Sequence, residues 1–166
     1  MNWLLCDFHI HTTCSDGELT IEEVVDLYSE KGFDIISITD HVLDEKSEKK
    51  YHEKNKRIPA VTKETFPEYQ KTLWDAARVA WERYNMILIP GIEITNDTEK
   101  FHMLYVDIKD FVSPDQSVAD IISKIHSMGG IAQHPGHESV CRRRSGGHQT
   151  LCVFRQIYPR HERLLR

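Results

Sequence analysis

The most informative stretch of this sequence is residues 7–17, Asp7-Phe8-His9-Ile10-His11-Thr12-Thr13-Cys14-Ser15-Asp16-Gly17. Its first residues continue an apolar run, which predicts a short buried strand over residues 3–9. His9 and His11 are two residues apart, so both imidazoles point to the same side of an extended chain. Asp16 beside Gly17 is typical of a turn, and its closeness to the two histidines also makes it a candidate metal ligand. The stretch therefore predicts a strand that ends in metal-competent side chains.

Strand and helix patterns alternate along most of the chain. Thr20 and Glu23 have the spacing of a capping box, which predicts a helix that ends at Gly32. Further helices are predicted at residues 66–84 and 118–128, and further strands at residues 34–39, 86–89, 101–108 and 131–134. The charged residues 42–63 predict a solvated excursion with some helix, with a substrate-covering lid as the alternative. The alternation predicts an α/β fold of βα units around a parallel sheet or barrel.

Every predicted strand carries a side chain that can bind a metal. In chain order these are His9 and His11, then His41, then Glu93, then His102 near the start of its strand, then His134. In parallel βα folds the functional groups gather at the carboxyl ends of the strands. Imidazole with carboxylate suits zinc, manganese and iron, and this many ligands implies two or three ions that share a carboxylate. Glu93 is the only acid in its strand-end segment, so it is the predicted bridge.

Two further acids precede candidate ligands. Asp7 lies two residues before His9, and Asp40 lies one residue before His41. Each is either an acceptor that fixes the orientation of an imidazole or a polar residue satisfied in the core.

Composition limits the class of protein. The chain has 166 residues, of which 40% are hydrophobic and 28% charged, so it fits one globular domain and excludes a disordered or collagen-like chain. No apolar run approaches the roughly 20 residues of a membrane-spanning helix, and the first residues do not resemble a signal peptide. We therefore expect a cytoplasmic protein without a membrane partner. The four cysteines form no CxxC pair and are interpreted as free thiols.

The charge is distributed unevenly. Residues 1–138 hold 14 Lys and Arg against 25 Asp and Glu, whereas residues 139–166 hold seven Arg against one Glu. This break predicts a barrel domain over residues 1–138, followed by an Arg-rich tail over residues 139–166 that is not native barrel sequence. Our hypothesis is a truncated or out-of-frame C-terminus that packs loosely and leaves the edge beside the fifth strand open. The alternative is a basic arm that binds nucleic acid.

The motifs resemble those of the polymerase and histidinol phosphatase (PHP) family of metal-dependent phosphoesterases. The matching segments, in the family's order, are Asp7 to Thr12, Ser15 to Gly17, Ile38 to His41, Pro90 to Glu93, His102 to Leu104, and His134-Pro135. The resemblance implies a distorted, TIM-like βα barrel of seven strands with a trinuclear site at its mouth. It implies hydrolysis of phosphomonoesters or nucleic-acid phosphodiesters by a metal-activated water, with a phosphorylated small molecule, nucleotide or oligonucleotide as substrate.

The resemblance also implies roles for individual residues. His9 and His11 would hold the first metal, Asp16 and His41 the second, His102 and His134 the third, and Glu93 would bridge. Asp16, Glu93 and His134 are the implied catalytic residues. The implied cofactors are two or three divalent ions, zinc, manganese or iron rather than magnesium.

The sequence departs from the family in its last third. The family completes its site with an Asp-x-His pair, and this chain has no aspartate after Asp120. Five strands are readable where the family has seven, so we expect an incomplete barrel. Nothing in their spacing recommends His137, His148 or His161 as a replacement. The alternatives to an active phosphoesterase are an inactive PHP fragment and an amidohydrolase-like hydrolase.

Overall fold

The computed structural model describes residues 4–53, 59–133, 140–145 and 148–154. Its strands are β1 (Leu4–Ile10), β2 (Ile35–Ile38), β3 (His41–Leu43), β4 (Ile87–Asn96), β5 (Phe101–Val106), β6 (Ile131–Gln133), β7 (Val140–Ser145) and β8 (His148–Phe154). Its helices are α1 (Ile21–Glu30), α2 (Glu45–Glu53), α3 (Phe66–Tyr84) and α4 (Val118–Ser127). Within these ranges, no helix combines the length and apolar character needed to cross a membrane.

The strands form one sheet in the order β6-β5-β4-β2-β1-β8-β7, and β3 pairs with β4 beside this path. β1, β2 and β4 run parallel to one another, and β8 runs parallel to β1. The sheet curls into a half-barrel, and five of its strands (β1, β2, β4, β5 and β6) lie where the sequence predicts strands. The predicted fold class, an α/β incomplete TIM-like barrel, is confirmed.

The direction of β5 corrects the expectation of a parallel sheet. β5 runs antiparallel to β4, with Asn96 paired with Phe101. The four residues between them are too few for the crossover that a parallel pair needs, so the chain turns back as a hairpin. As a result, the start of β5 lies beside the carboxyl end of β4. His102 therefore reaches that end of the barrel from the beginning of its strand.

β4 is also longer than predicted. Pro90 and Gly91 do not end it, because residues 87–90 pair with β2 and residues 93–95 pair with the short strand β3. The sequence pattern missed β3, which has only three residues. The charged segment after it contains α2, so the interpretation as an excursion with some helix holds for the described residues, and the lid stays a prediction.

The helices follow from their caps and apolar faces. Thr20 accepts a hydrogen bond from the Glu23 backbone, the Glu23 carboxylate accepts one from the Thr20 backbone, and Gly32 follows the helix with φ +76°. α3 buries the apolar face that the sequence predicts and ends at Asn85 in the left-handed conformation. With the buried side chains of β2 and β4, these helices enclose one hydrophobic core that includes Ile36, Leu73 and Ile92.

The sequence pattern did not predict β7 and β8. β8 pairs with β1, and β7 pairs with β8 as a hairpin, where we expect a loosely packed tail. The run Leu151-Cys152-Val153-Phe154 within β8 has the apolar and β-branched character that suits a strand. The domain boundary at residue 138 stays a prediction. At the other edge, β6 pairs only with β5 among the described strands.

Candidate metal centre

Glu93 on β4 lies at the centre of a cluster of histidines. Its Oε2 atom is 2.8 Å from His9 Nε2, 3.2 Å from His11 Nε2 and 3.4 Å from His41 Nδ1, and its Oε1 atom is 2.7 Å from His102 Nδ1. The carboxylate is almost fully buried. Burial alone would raise the pKa of Glu93, but hydrogen bonds from His102, His11 and His9 outweigh it and hold the pKa well below its usual range. Glu93 is therefore a fixed negative charge.

Asp16 joins two of these histidines on the solvent side. Its Oδ1 atom is 3.4 Å from His11 Nδ1 and 3.6 Å from His41 Nε2, and its side chain is 45% exposed. The nearby His41 imidazole outweighs partial burial and lowers the pKa of Asp16 to about 2. The carboxylate is therefore ionised at neutral pH.

Three overlapping groups offer ligand atoms within 4.8 Å of one another: His9 with His11 and Glu93, His11 with Asp16 and His41, and His41 with Glu93 and His102. His11, His41 and Glu93 each belong to two groups. The donors are imidazole nitrogens and carboxylate oxygens, and none of the groups found among the described residues contains a cysteine. This donor set fits divalent metal ions of the zinc, manganese and iron type.

The fold explains how these side chains meet. His9 lies on β1 and His11 directly follows the last residue of that strand. His41 opens β3 directly opposite Glu93 in the strand register. His102 pairs with Thr95, two residues beyond Glu93 on β4. Six of the seven predicted ligands are therefore brought together. The seventh predicted ligand, His134, lies outside the described residues. Of the other late histidines, His137 and His161 also lie outside them, and His148 is the first residue of β8.

Asp7 is a buried group whose hydrogen bonds stay close to β1. Its carboxylate accepts from the His9 backbone at 3.1 Å and from the Tyr28 hydroxyl at 2.9 Å. Burial raises the pKa of Asp7, although these hydrogen bonds oppose the effect. Asp7 thus holds the backbone of His9 through its carboxylate.

Thr95 is a site residue that the sequence analysis missed. Its buried hydroxyl is 2.9 Å from His41 Nδ1 and 3.4 Å from His102 Nδ1. Thr95 lies two residues after Glu93, so both face the same side of β4. The alternation would have identified Thr95 if the strand had been predicted to continue past Ile89.

Gly17 allows the turn after β1 to fold back on the strand. A Cβ atom at this position would overlap the carbonyl of His11 and come within 2.7 Å of the Thr12 nitrogen. Any side chain here would therefore displace the turn that carries Asp16.

Comparison with known families agrees with this geometry. The sequence model of the PHP domain matches residues 7–155. The chain belongs to the PHP domain family. The match begins at the Asp7 motif and extends through β7 and β8. The resemblance seen in the sequence is thereby confirmed.

Two solved structures are similar to this chain. A two-domain protein from Bacteroides vulgatus, containing a predicted PHP-like metal-dependent phosphoesterase, is 26% identical with a TM-score of 0.53, over 79% of this chain and 35% of that one. A presumptive metal-dependent phosphoesterase from Bifidobacterium adolescentis is 25% identical with a TM-score of 0.41, over 75% of this chain and 32% of that one. This PHP chain therefore spans about a third of the length of these structures. No curated protein matches the sequence.

Proposed function

We propose that this PHP domain hydrolyses phosphate esters with the help of divalent metal ions. The observation that carries the proposal is the set of three overlapping ligand groups around Glu93. The substrates proposed are phosphomonoesters or nucleic-acid phosphodiesters, and zinc, manganese or iron are the proposed ions. The description of the B. vulgatus relative as containing a PHP-like metal-dependent phosphoesterase supports the same class of reaction.

The roles follow from the overlap of the groups. His9 and His11 would hold one ion with Glu93, and His41 would contribute to the two ions on either side of it. Glu93 belongs to two groups and offers two carboxylate oxygens, so it would act as the bridging ligand that the sequence predicts. Asp16 would complete the group nearest solvent. His134 stays a predicted ligand and catalytic residue from the family resemblance.

The exposure of the ligands suggests the direction from which substrate approaches. Side-chain exposure is 12% for His9 and 3% for Glu93, but 45% for Asp16 and 49% for His102. A phosphate group would therefore enter between Asp16 and His102. When bound, the metal ions would lower the pKa of a water molecule and offset the charge of the phosphoryl oxygens. Glu93 and Asp16, both ionised, keep the cluster attractive to cations.

The test is hydrolysis of p-nitrophenyl phosphate and bis-p-nitrophenyl phosphate by the full chain, reconstituted with Mn²⁺ or Zn²⁺. We expect His9→Ala and His41→Ala to reduce the rate by orders of magnitude, because each removes a metal ligand. His126→Ala is the matched control, since His126 is exposed on α4 and belongs to none of the three groups.

Two results would contradict the proposal. Equal rates in wild type and both ligand variants would place the activity outside this cluster. Tight metal binding without turnover of either ester would instead identify a metal-binding domain that lacks phosphoesterase activity.

A further inference from the structure

The Asp40 carboxylate is fully buried and is surrounded by donors from one short segment. Its Oδ1 atom accepts from the Thr12 backbone at 2.7 Å and from the Ser15 hydroxyl at 2.5 Å. Its Oδ2 atom accepts from the Thr12 hydroxyl at 2.7 Å. All three donors belong to the segment of residues 12–15, which links the end of β1 to Asp16. A buried charge with three donors is satisfied, and the removal of the carboxylate leaves those donors unpaired.

The same segment has few other anchors. The backbone nitrogens of Ser15 and Gly17 both donate to the carbonyl of Thr12, at 2.9 and 3.0 Å, and the Thr13 nitrogen donates to the carbonyl of Leu19 at 2.8 Å. These bonds join residues 12–19 to one another, and none of them reaches a strand of the barrel. Asp16 itself is nearly half exposed, so its own packing does not fix it either. The position of Asp16 therefore depends on what holds Thr12 and Ser15.

Asp40 is in turn fixed to the rest of the barrel. Its carbonyl accepts from the Glu93 nitrogen at 2.9 Å, and its nitrogen donates to the Tyr69 hydroxyl at 3.2 Å. Tyr69 donates to the carbonyl of Gly91 at 3.1 Å. Asp40 thus connects the turn after β1 to the strand that carries Glu93.

We propose that Asp40 is a positioning residue, which holds residues 12–15 so that Asp16 faces His11 and His41. This inference rests on the proposed function in one respect only, that these three side chains bind a metal ion. Asp40 belongs to none of the three ligand groups, and the donors to its carboxylate come from residues 12–15. The loss of Asp40 should therefore weaken the binding of the same metal ion whose binding the loss of Asp16 weakens.

Asp44 provides a matched comparison within the chain. It is also fully buried, and its carboxylate accepts from Ser47 and from the backbone and hydroxyl of Thr98. These donors belong to α2 and to the turn between β4 and β5, not to the segment that carries Asp16. A purely structural carboxylate should therefore behave like Asp44.

The experiment titrates the metal-free full chain with Zn²⁺ against a chromogenic chelator, which gives the affinity of each equivalent bound. We expect Asp40→Ala to lower the affinity for one equivalent of Zn²⁺ roughly 10- to 100-fold, as the loss of a residue that orients a ligand does. The variant Asp16→Ala should weaken the same equivalent, and the double variant should be no weaker than Asp16→Ala. Asp40→Asn should recover most of the affinity, because its oxygen still accepts from Thr12 and Ser15. Asp44→Ala should keep wild-type affinity even where it lowers stability.

A second measurement does not depend on metal. Amide hydrogen exchange of the metal-free chain should become faster at Thr12, Ser15 and Gly17 in Asp40→Ala but not in Asp44→Ala. If Asp40→Ala does not fold, Ser15→Ala removes one donor and should show a smaller change in the same direction. Wild-type exchange at these amides, or additive effects of Asp16→Ala and Asp40→Ala on Zn²⁺ affinity, would overturn the inference. Failure of the wild type to bind Zn²⁺ would overturn the proposed function, and the exchange data would then decide the positioning role alone.

Discussion

Glu93 is a single buried carboxylate that faces four imidazoles. Its charge favours protonation of the nearby rings when no other cation is present. Burial lowers the pKa of His11, but the hydrogen bond to Glu93 outweighs it and raises the pKa above its ordinary value. The hydrogen bond to Glu93 also raises the pKa of His102. In the proposed metal centre, protons and metal ions would therefore compete for the same nitrogen atoms.

The variant Glu93→Gln tests this electrostatic link. The amide keeps the shape of the side chain but removes the charge that favours the imidazolium form. We expect the pKa values of His11 and His102 in the metal-free chain to fall, which NMR titration of the ring protons would measure. Glu68→Gln, at an exposed position on α3, should leave both titrations unchanged. Unchanged titrations in Glu93→Gln would contradict the role of Glu93.

Asp44 joins two elements and should make stability depend on pH. Burial alone would raise the pKa of Asp44, but hydrogen bonds from Ser47 and Thr98 outweigh it and lower the pKa to about 2. A folded-state pKa below the ordinary value of 3.8 contributes stability that is present above pH 3.8 and lost as the pH falls towards 2. The contribution is about 2 kcal/mol.

The measurement is the free energy of unfolding in urea between pH 6 and pH 2, for the wild type and for Asp44→Asn. The difference in free energy of unfolding between the two proteins should be largest at pH 6 and shrink as the pH falls. The reason is that protonation of Asp44 removes the negative charge that its hydrogen bonds stabilise. A difference that stays constant with pH would show that the Asp44 charge does not contribute.

One buried hydroxyl of the helix α3 forms hydrogen bonds with backbone groups of the barrel. The Tyr69 hydroxyl accepts from the Asp40 nitrogen and donates to the Gly91 carbonyl. We expect Tyr69→Phe to lower the free energy of unfolding by about 1–3 kcal/mol, because it leaves two buried backbone groups unpaired. Tyr84→Phe is the control on the same helix, since the Tyr84 hydroxyl bonds exposed Asp26 and should matter by less than about 0.5 kcal/mol. Equal losses of unfolding free energy in the two variants would contradict the stabilising role of the Tyr69 hydroxyl.

At the scale of elements, the sequence predicts those features that depend on local residue patterns, such as helix caps and apolar helix faces. The caps of α1 and the apolar face of α3 are local patterns, and both are confirmed. The antiparallel direction of β5 and the extension of β4 past Pro90 depend on pairing between distant residues. Such pairing is decided by tertiary contacts, so a single sequence does not reveal it.

At the scale of the whole molecule, the half-barrel brings six predicted ligands to one end. That these residues lie close to strand ends could be predicted for His9, His11, His41 and His102, because their motifs begin or end strands. Their grouping could not, because it depends on the curl of the sheet and on the register between β3, β4 and β5. Thr95 was missed because the sequence predicts a strand that ends at Ile89, whereas β4 continues to Asn96.

The most direct test of this account is the metal content of the full chain. The purified protein would be equilibrated with Zn²⁺ or Mn²⁺, freed of excess metal and assayed by elemental analysis, beside His41→Ala. His41 belongs to two of the three ligand groups. We predict two or three equivalents per wild-type chain, from the three overlapping groups, and a clear loss in His41→Ala. Less than about a tenth of an equivalent in the wild type, or the same content in both proteins, would contradict the claim that this cluster is a metal centre.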